Sequence, residues 1–347
     1  MLNSGLLLQG FDRPDDAVSW LGAVQSQDYP GAAWALAQRT PGIPEVLVHE
    51  AFDSGRILRT HILRPTWHFV AAADLRWMLA LSGPRVHVCN RRVYRMVELD
   101  ARTLSRSHDV LARALAGRNW QTRAELAAAL ARNGIQAKGL RLAYLVMHAE
   151  LDALICSGPR RGNQFTYALL DDRVPATRPV DRETALVELT RRYVRSHGPA
   201  TSRDFAWWSG LTMREATAGL AAIAGELTQK VVDGLRYWFV PGRAPSPRRR
   251  PIARLLPNYD EYLVAHKDRG MFLGDRPPGR KDRFHNHLLV DGRVAGSWRC
   301  RTGAAELVVE VATYARPSRA ETAAIAAEAG RYGRFRGLPA RLSLGLC

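Results

Sequence analysis

The chain has 347 residues; 46% are hydrophobic, and 50 Lys and Arg against 33 Asp and Glu give a formal net charge of +17. This length favours about two to four modules over one compact core, and the hydrophobic content excludes a largely disordered chain. The basic excess indicates a protein that binds a polyanion, although the Arg-rich codon usage of a high-GC genome would account for part of it.

Membrane and secreted classes find no support in the sequence. No stretch approaches the ~20 apolar residues of a membrane span, and the first ten residues lack the basic start of a signal peptide. The four cysteines are far apart and form no CxxC motif, which is typical of free thiols in a reducing compartment. We therefore expect a cytoplasmic, nucleoid-associated protein that has no membrane contact and is a monomer.

The first hundred residues predict three helices followed by a pair of strands. Pro14 marks the start of the first helix, and the spacing of Val18, Leu21 and Val24 gives it one buried face. The predicted helices cover 14–25, 32–38 and 44–52, and the strands cover 57–63 and 66–70. This is the element order of a winged helix, a helix-turn-helix variant.

Two further segments repeat this order. The second predicts helices over 101–115, 122–132 and 140–154, with strands at 155–157 and 165–170. The third predicts helices over 183–196, 202–208 and 212–222, with a hairpin of 227–232 and 235–240. Thr122 and Glu125 have the capping-box spacing, and Asp233-Gly234 is a hairpin-turn signal. The repeat is one of architecture, not of residues.

A Pro- and Arg-rich linker over 241–251 precedes a region dominated by strand patterns. Its predicted strands cover 253–256, 287–290, 294–299, 306–313 and 340–344, with one helix at 318–330. The predicted fold class is mainly α with β: three tandem winged-helix units followed by a small β-rich C-terminal domain. The predicted units cover 1–100, 101–176 and 177–243, and the domain covers 244–347.

Two stretches of the first unit carry the chemistry. Gln25-Ser26-Gln27 follows an apolar run, and a basic, histidine-bearing strand segment, 59–68, comes some thirty residues later. Matching motifs occur in order along the chain, at 21–28, 59–68, 198–201, 204–205, 208–210, 255–262, 267–269 and 290–299. Together they resemble the AlkZ-like tandem winged-helix DNA glycosylases, a family with azinomycin-resistance enzymes and housekeeping members.

The resemblance implies three winged-helix units that cup duplex DNA and excise N7-alkylated purines or related bulky and crosslinked adducts. The family's catalytic Gln-x-Gln signature falls on Gln25 and Gln27. Ser26 departs from the pattern, since the family usually has an apolar residue there. Asp28 adjoins the pair, and an acidic contribution from it stays open.

Two glutamines suffice for a substrate that carries its own charge. An N7-alkylpurine is cationic, so its glycosidic bond is weak and its leaving group needs no proton. A carboxamide oxygen accepts a hydrogen bond from water while its NH₂ donates to phosphate or sugar, which places water beside C1′. The alternative is that Gln25 and Gln27 only cap a helix end in a solvated turn.

Candidate DNA-binding residues lie in two basic segments. Strand alternation places Arg59 and His61 on one face, and the others of these two segments are Arg64, His68, Arg160, Arg161, Asn163 and Gln164. The alternative for His68 is a packed histidine beside Trp67, and for the segment over 160–164 it is a solvated wing tip. A third basic group, Arg91, Arg92 and Arg95, has helical spacing and suits either DNA backbone or solvent.

Other candidate sites are weaker. His285, His287 and Cys300 are an incomplete zinc set, so we expect no metal and no organic cofactor. Asp260 and Glu261 fit buried partners of Lys267 or Arg269 better than catalytic carboxylates. Trp207 and Trp208 fit the core of the third unit.

The expected function is a monofunctional DNA glycosylase acting on alkylated bases in double-stranded DNA. The alternatives are a winged-helix transcription factor or architectural protein without chemistry, and an RNA-binding module. The sequence does not decide which lesion is preferred, whether the base is flipped, or whether the role is self-resistance or general repair.

Overall fold

A computed structural model describes Met1 and residues 3–7, 10–242, 250–273 and 282–347. It is a mixed α/β structure with several small sheets. The α-helices of the described residues are α1 (Pro14–Leu21), α2 (Tyr29–Ala37), α3 (Glu45–Asp53), α4 (Ala72–Met96), α5 (Ala101–Leu115), α6 (Arg123–Arg132), α7 (Gly139–Leu151), α8 (Leu170–Arg173), α9 (Arg182–His197), α10 (Ser202–Ser209), α11 (Met213–Ala222), α12 (Glu261–Val264) and α13 (Arg319–Arg336).

The strands of the same residues are β1 (Val24–Gln25), β2 (Ile57–Ile62), β3 (Arg64–Ala71), β4 (Gln121–Thr122), β5 (Ile155–Ser157), β6 (Thr166–Leu169), β7 (Thr228–Val232), β8 (Leu235–Phe239), β9 (Ala253–Leu256), β10 (Asn286–Val290), β11 (Arg293–Thr302), β12 (Leu307–Thr313) and β13 (Ala340–Leu346). Short 3₁₀ turns cover Ala224–Glu226 and Gly270–Phe272. No helix of the described residues combines the length and apolar character that crossing a bilayer requires.

The first sheet has the order β1-β3-β2; β1 lies between α1 and α2, and β2 and β3 follow α3. The predicted helix over 14–25 is too long, because Gly22 has φ of 80° and ends α1 at Leu21. A side chain at Gly22 would combine a left-handed backbone with a ring carbon of Trp208 only 3.3 Å away. The chain then enters β1, so Gln25 lies on a strand and not on a helix.

The 25-residue helix α4 was not predicted as an element. Pro84 inside it follows a glycine, a pair that normally marks a break, and a proline in a helix interior removes a backbone hydrogen bond. Tertiary packing outweighs this local preference, since α4 packs on β2, β3, α7 and α9. Arg91, Arg92 and Arg95 are exposed on its C-terminal half.

The second and third segments have the predicted elements. Helices α5, α6 and α7 belong with a sheet of order β4-β6-β5, in which β4 lies between α5 and α6 and the other two strands follow α7. The predicted capping box is confirmed: the Thr122 hydroxyl accepts from the Glu125 N–H, and the Glu125 carboxylate accepts from the Thr122 N–H. Helices α9, α10 and α11 precede the β7-β8 hairpin, whose turn residues Asp233 and Gly234 both have positive φ.

The C-terminal part is a five-stranded sheet of order β13-β12-β11-β10-β9. Its strands are antiparallel except β12 and β13, which run parallel and are joined through α13. All five predicted strands are present. The helix α13 extends to Arg336, six residues beyond the prediction. Most of the predicted linker, 243–249, lies outside the described residues.

The buried core joins segments that are far apart in sequence. Trp34 of α2 donates from Nε1 to the Leu255 carbonyl at 2.7 Å and packs against Tyr332 and Phe335 of α13. A second core joins β2, β3 and α4 to α9 and α10 around Trp208. A third lies within α5, α6 and α7. The first segment is therefore packed on both the third segment and the C-terminal sheet.

Candidate active site

The two glutamines lie on the edge strand β1 and its continuation. Gln25 pairs with His68 of β3, and the Ser26 N–H donates to the Trp67 carbonyl at 2.8 Å. Side chains alternate along this strand: Ser26 is fully buried, Gln25 is half-buried and Gln27 is exposed. The alternative of a helix-end cap is wrong, because no helix ends at these residues.

The Gln25 backbone is fixed by a buried carboxylate. Its N–H donates to Glu261 Oε1 at 2.7 Å, and Glu261 Oε2 accepts from Trp208 Nε1 at 2.8 Å. Burial alone would raise the pKa of Glu261, but His197 and Arg64 favour its charged form and lower the pKa to about 2. Glu261 thus works as an anionic anchor for β1.

The Gln25 side chain is oriented by Arg64. Arg64 Nη2 donates to Gln25 Oε1 at 3.2 Å, and its guanidinium lies 5.8 Å from the ring centroid of Trp207. This contact uses one of the two lone pairs of the amide oxygen and leaves the second lone pair for another donor. Gln25 and Asp28 line a shallow cleft with Pro257 and Tyr259.

Gln27 and Asp28 are the solvent-exposed residues of this segment. Gln27 Oε1 accepts from the Trp67 N–H at 3.4 Å, which is a long contact that leaves the amide adaptable. Asp28 is exposed and occupies the N-cap position of α2, although its side chain makes no capping hydrogen bond. Ser26 points into the core, where its hydroxyl has no hydrogen-bond partner among the described residues.

Arg59 contacts the backbone of the segment that carries the two glutamines. Its Nε donates to the Ser26 carbonyl at 3.0 Å, and its guanidinium stacks on Trp67 and Phe165 with distances of 4.3 Å and 4.9 Å to the ring centroids. Burial lowers the pKa of Arg59. These contacts give Arg59 a positioning role for β1.

The histidines predicted to contact DNA are buried. His61 is 5% exposed, and its Nδ1 donates to the fully buried Glu150 of α7. His68 is 0% exposed, and its Nδ1 donates to the Thr66 carbonyl at 2.9 Å. Direct DNA contact by these two side chains is therefore wrong for this conformation. The packed-histidine alternative describes His68 correctly.

Both arginines of the basic loop over 160–164 are held by carboxylates, whereas the loop tip is exposed. Arg160 pairs with Asp53, with 3.1 Å between Nη2 and Oδ2, and its N–H donates to the same carboxylate. Arg161 and Gln164 close the loop tip through mutual backbone hydrogen bonds of 2.9 Å and 3.1 Å. Arg161, Asn163 and Gln164 are exposed, and Arg161 is paired with Glu125 at 2.8 Å.

A family model of AlkZ-like DNA glycosylases matches residues 18–335. The chain belongs to this family. The resemblance predicted from the sequence motifs is thereby confirmed, and DNA glycosylase and DNA repair are the functions that the family name carries.

The chain is also similar to a glycosylase sequence and to a solved glycosylase structure. It is 26% identical over 158 residues to an interstrand DNA cross-link repair glycosylase of Streptomyces sahachiroi, a match that covers 42% of this chain and 43% of that relative. The solved structure of Streptomyces sahachiroi DNA glycosylase AlkZ matches with a TM-score of 0.78 and 22% identity, over 99% of this chain and 97% of that chain. The two proteins therefore share a fold.

The acidic pair of this AlkZ-like protein has other partners than those predicted. Asp260 forms a fully buried ion pair with Arg39, at 2.8 Å and 2.9 Å, and Glu261 contacts Trp208 and the Gln25 backbone. Neither contact involves Lys267 or Arg269. The cause is the packing of α12 against α2 and β1, a long-range arrangement that local sequence does not encode.

The tryptophan pair is only half core. Trp208 is fully buried, as predicted, whereas Trp207 is 44% exposed and donates from Nε1 to the Val264 carbonyl at 3.1 Å. Trp207 thus presents an aromatic face beside Arg64.

Glu150, the partner of His61, was not predicted from the sequence, where its only signal is a carboxylate at a buried position of α7.

We expect His68 to make folding stability depend on pH. Burial, with the nearby charge of Arg64, lowers the pKa of His68 from 6.5 to about 3. Between pH 6.5 and about 3, His68 is protonated in the unfolded chain but neutral in the folded chain. The free energy of unfolding therefore decreases as the pH falls through this range, by about 1.4 kcal/mol per pH unit. Urea unfolding between pH 4.5 and 7 should show a shallower slope for His68→Gln. The exposed His285→Gln is the control, and equal slopes for both variants would contradict the assignment.

Proposed function

We propose that this chain is a monofunctional DNA glycosylase that excises cationic N7-alkylated purines from duplex DNA. Gln25 and Gln27 position the attacking water. The observation that carries the proposal is the placement of both amides on one side of an edge strand and its continuation, where Gln25 accepts from Arg64 and lines a shallow cleft with Asp28. No organic cofactor takes part in this chemistry.

The reaction needs little acid catalysis. Water attacks C1′ as the C1′–N9 bond breaks, the electron pair goes to N9 and cancels the positive charge of the purine, and the proton from water is released to solvent. Gln25 accepts from this water through the free lone pair of Oε1, and Arg64 lies close enough to the amide to stabilise adjacent phosphate negative charge. The exposed carboxylate of Asp28 stabilises the oxocarbenium-like sugar.

The proposed architecture is three tandem winged-helix units, 1–100, 101–176 and 177–243, followed by the β-rich domain, 244–347. Each of the three segments has three helices followed by a pair of strands, and in the first two segments a short strand after the first helix joins that pair, which supports this division. The shared cores around Trp34 and Trp208 would hold the units in one fixed curve around the duplex.

Proposed DNA contacts come from exposed basic and amide groups. The loop tip Arg161, Asn163 and Gln164 would enter a groove or bind phosphates, and Arg91, Arg92 and Arg95 would follow the backbone. Arg64 contacts DNA next to the lesion, while Arg59 and Arg160 hold the strand and the loop in place. The protein acts as a monomer on double-stranded DNA.

Bulky and crosslinked adducts are included in the proposed substrate class. The Streptomyces sahachiroi relative is an interstrand DNA cross-link repair glycosylase, and this supports the extension to large adducts. The cleft at Gln25 is shallow rather than a deep base pocket, which also favours lesions that stay largely stacked.

The test is base release from a panel of duplexes. Each duplex carries one N7-alkylguanine, from methyl to a bulky intercalating adduct, and free base is measured by chromatography under single-turnover conditions. We expect release of the base from the cationic N7 adducts and no release from a duplex of the same sequence with unmodified guanine. Sequence-specific binding without base release from any adduct would favour the non-enzymatic DNA-binding alternative.

A further inference from the structure

Three histidines and one aspartate meet between α4, α5 and α7. His87 is on α4, His108 on α5 and His148 on α7, and Asp152 follows the last turn of α7. Only His148 and Asp152 are near in sequence, one helical turn apart. The sequence around these residues therefore contains no short metal-binding motif.

The ligand atoms of His87, His148 and Asp152 all lie within 4.8 Å of one another, close enough to share one ion, and His108 lies beside this group. His87 Nε2 lies 2.9 Å from Asp152 Oδ1, and His148 Nδ1 lies 3.2 Å from Asp152 Oδ2 and 3.0 Å from His108 Nε2. His108 Nε2 lies 3.9 Å from Asp152 Oδ2. Zinc–nitrogen and zinc–oxygen bonds of about 2.0–2.1 Å at tetrahedral angles separate the ligands by about 3.3–3.4 Å. The observed distances lie on both sides of that value.

An outer contact orients one ligand of the cluster. Tyr94 OH is 2.8 Å from His87 Nδ1, so the other ring nitrogen, Nε2, faces Asp152. An outer hydrogen bond that fixes the tautomer is a regular feature of metal-ligating histidines. Tyr94 is itself held by edge contact with Tyr144 of α7, with ring centroids 5.9 Å apart.

The cluster is open to solvent on one side. The Asp152 side chain is 41% exposed, which gives an ion a path from solvent.

We propose that His87, His148 and Asp152 bind one Zn²⁺ at a site outside the Gln25 and Gln27 centre. Two imidazoles and one carboxylate supply three of the four tetrahedral positions, and a water or the neighbouring His108, whose Nε2 lies 3.0 Å from His148 Nδ1, completes the set. The ion would tie α4 to α7. It takes no part in base release.

The test uses the full chain without a polyhistidine tag, after treatment with a chelator. Co²⁺ serves as a visible probe for a tetrahedral site, and Zn²⁺ should displace it. We expect one ion per chain and a midpoint of thermal unfolding that rises by a few degrees with Zn²⁺. His148→Ala should lose the Co²⁺ spectrum and the thermal shift, whereas the exposed control His285→Ala should keep both.

Two results would overturn the zinc site. One is a full-length protein that binds no stoichiometric Co²⁺ or Zn²⁺ at micromolar concentration. The other is a His148→Ala variant that binds as the unsubstituted protein does. If His148→Ala does not fold, His148→Gln with the far-ultraviolet circular dichroism of the unsubstituted chain replaces it, and the Co²⁺ spectrum of the unsubstituted protein decides.

Discussion

Single-turnover base release should fall by roughly 100- to 1,000-fold in Gln25→Ala and in Gln27→Ala, with duplex binding largely retained. Each substitution removes one amide that places the attacking water beside C1′. The measurement is chromatographic release of N7-methylguanine, with binding followed separately by fluorescence anisotropy.

The structure separates this chemical loss from a folding defect. The Gln25 backbone keeps its pairing with β3 and its hydrogen bond to Glu261 when the side chain is shortened. Gln27 is exposed, and its side-chain hydrogen bond among the described residues is the long contact with the Trp67 N–H. Unfolding midpoints of both variants should therefore stay close to that of the unsubstituted protein.

Matched variants distinguish the roles of the two amides. Gln136→Ala removes an exposed glutamine outside the cleft and should leave base release unchanged. Gln25→Glu places a carboxylate against Arg64 and should lower activity by forming an ion pair, whereas Gln27→Glu, on the open side, should retain more. Unchanged base release in both alanine variants would remove the glutamines from the mechanism.

Elements with local signals could be predicted from the sequence. The predicted capping box at Thr122 is completed by Glu125 three positions away, and the β7-β8 turn at Asp233-Gly234 depends on two adjacent residues. Such signals act within one turn of helix or one hairpin, so tertiary context does not alter them.

The helix end before Gln25 shows where local patterns fail. Val18, Leu21 and Val24 have helical spacing, yet the helix ends at Leu21 and Val24 enters the sheet. The hydrophobic spacing cannot distinguish a longer helix from a helix followed by a strand, because Val24 is buried in both cases. The deciding feature is Gly22, whose positive φ turns the chain toward β3.

The contacts that position the site are long-range and had no sequence signal. Gln25 is 236 residues from Glu261, His61 is 89 residues from Glu150, and Arg39 is 221 residues from Asp260. From the sequence alone it followed only that a polar or charged side chain needs a partner if it is buried. The partners themselves follow from how the first segment packs on the third and on the C-terminal sheet.

Asp260→Ala should destabilise the protein by about 3–5 kcal/mol, because it leaves the Arg39 charge buried without a counter-ion. Both side chains are 0% exposed, and the carboxylate accepts two hydrogen bonds from the guanidinium. Asp260 also caps α12 through the Tyr262 N–H at 2.9 Å, so part of the loss comes from the cap. The measurement is the free energy of unfolding in urea.

The control is Glu306→Ala, which breaks an exposed ion pair with Arg341 and should change stability by about 1 kcal/mol or less. In the double variant Arg39→Leu with Asp260→Leu, no charge stays unpaired, so its loss should be smaller than the sum of the single losses. Arg39 also donates to the Ser4 and Ala35 carbonyls, and those acceptors lose their partner in the double variant. An Asp260→Ala loss no larger than that of Glu306→Ala would mean that Arg39 is rehydrated, and the packing of α2 on α12 would then be looser than this structure has it.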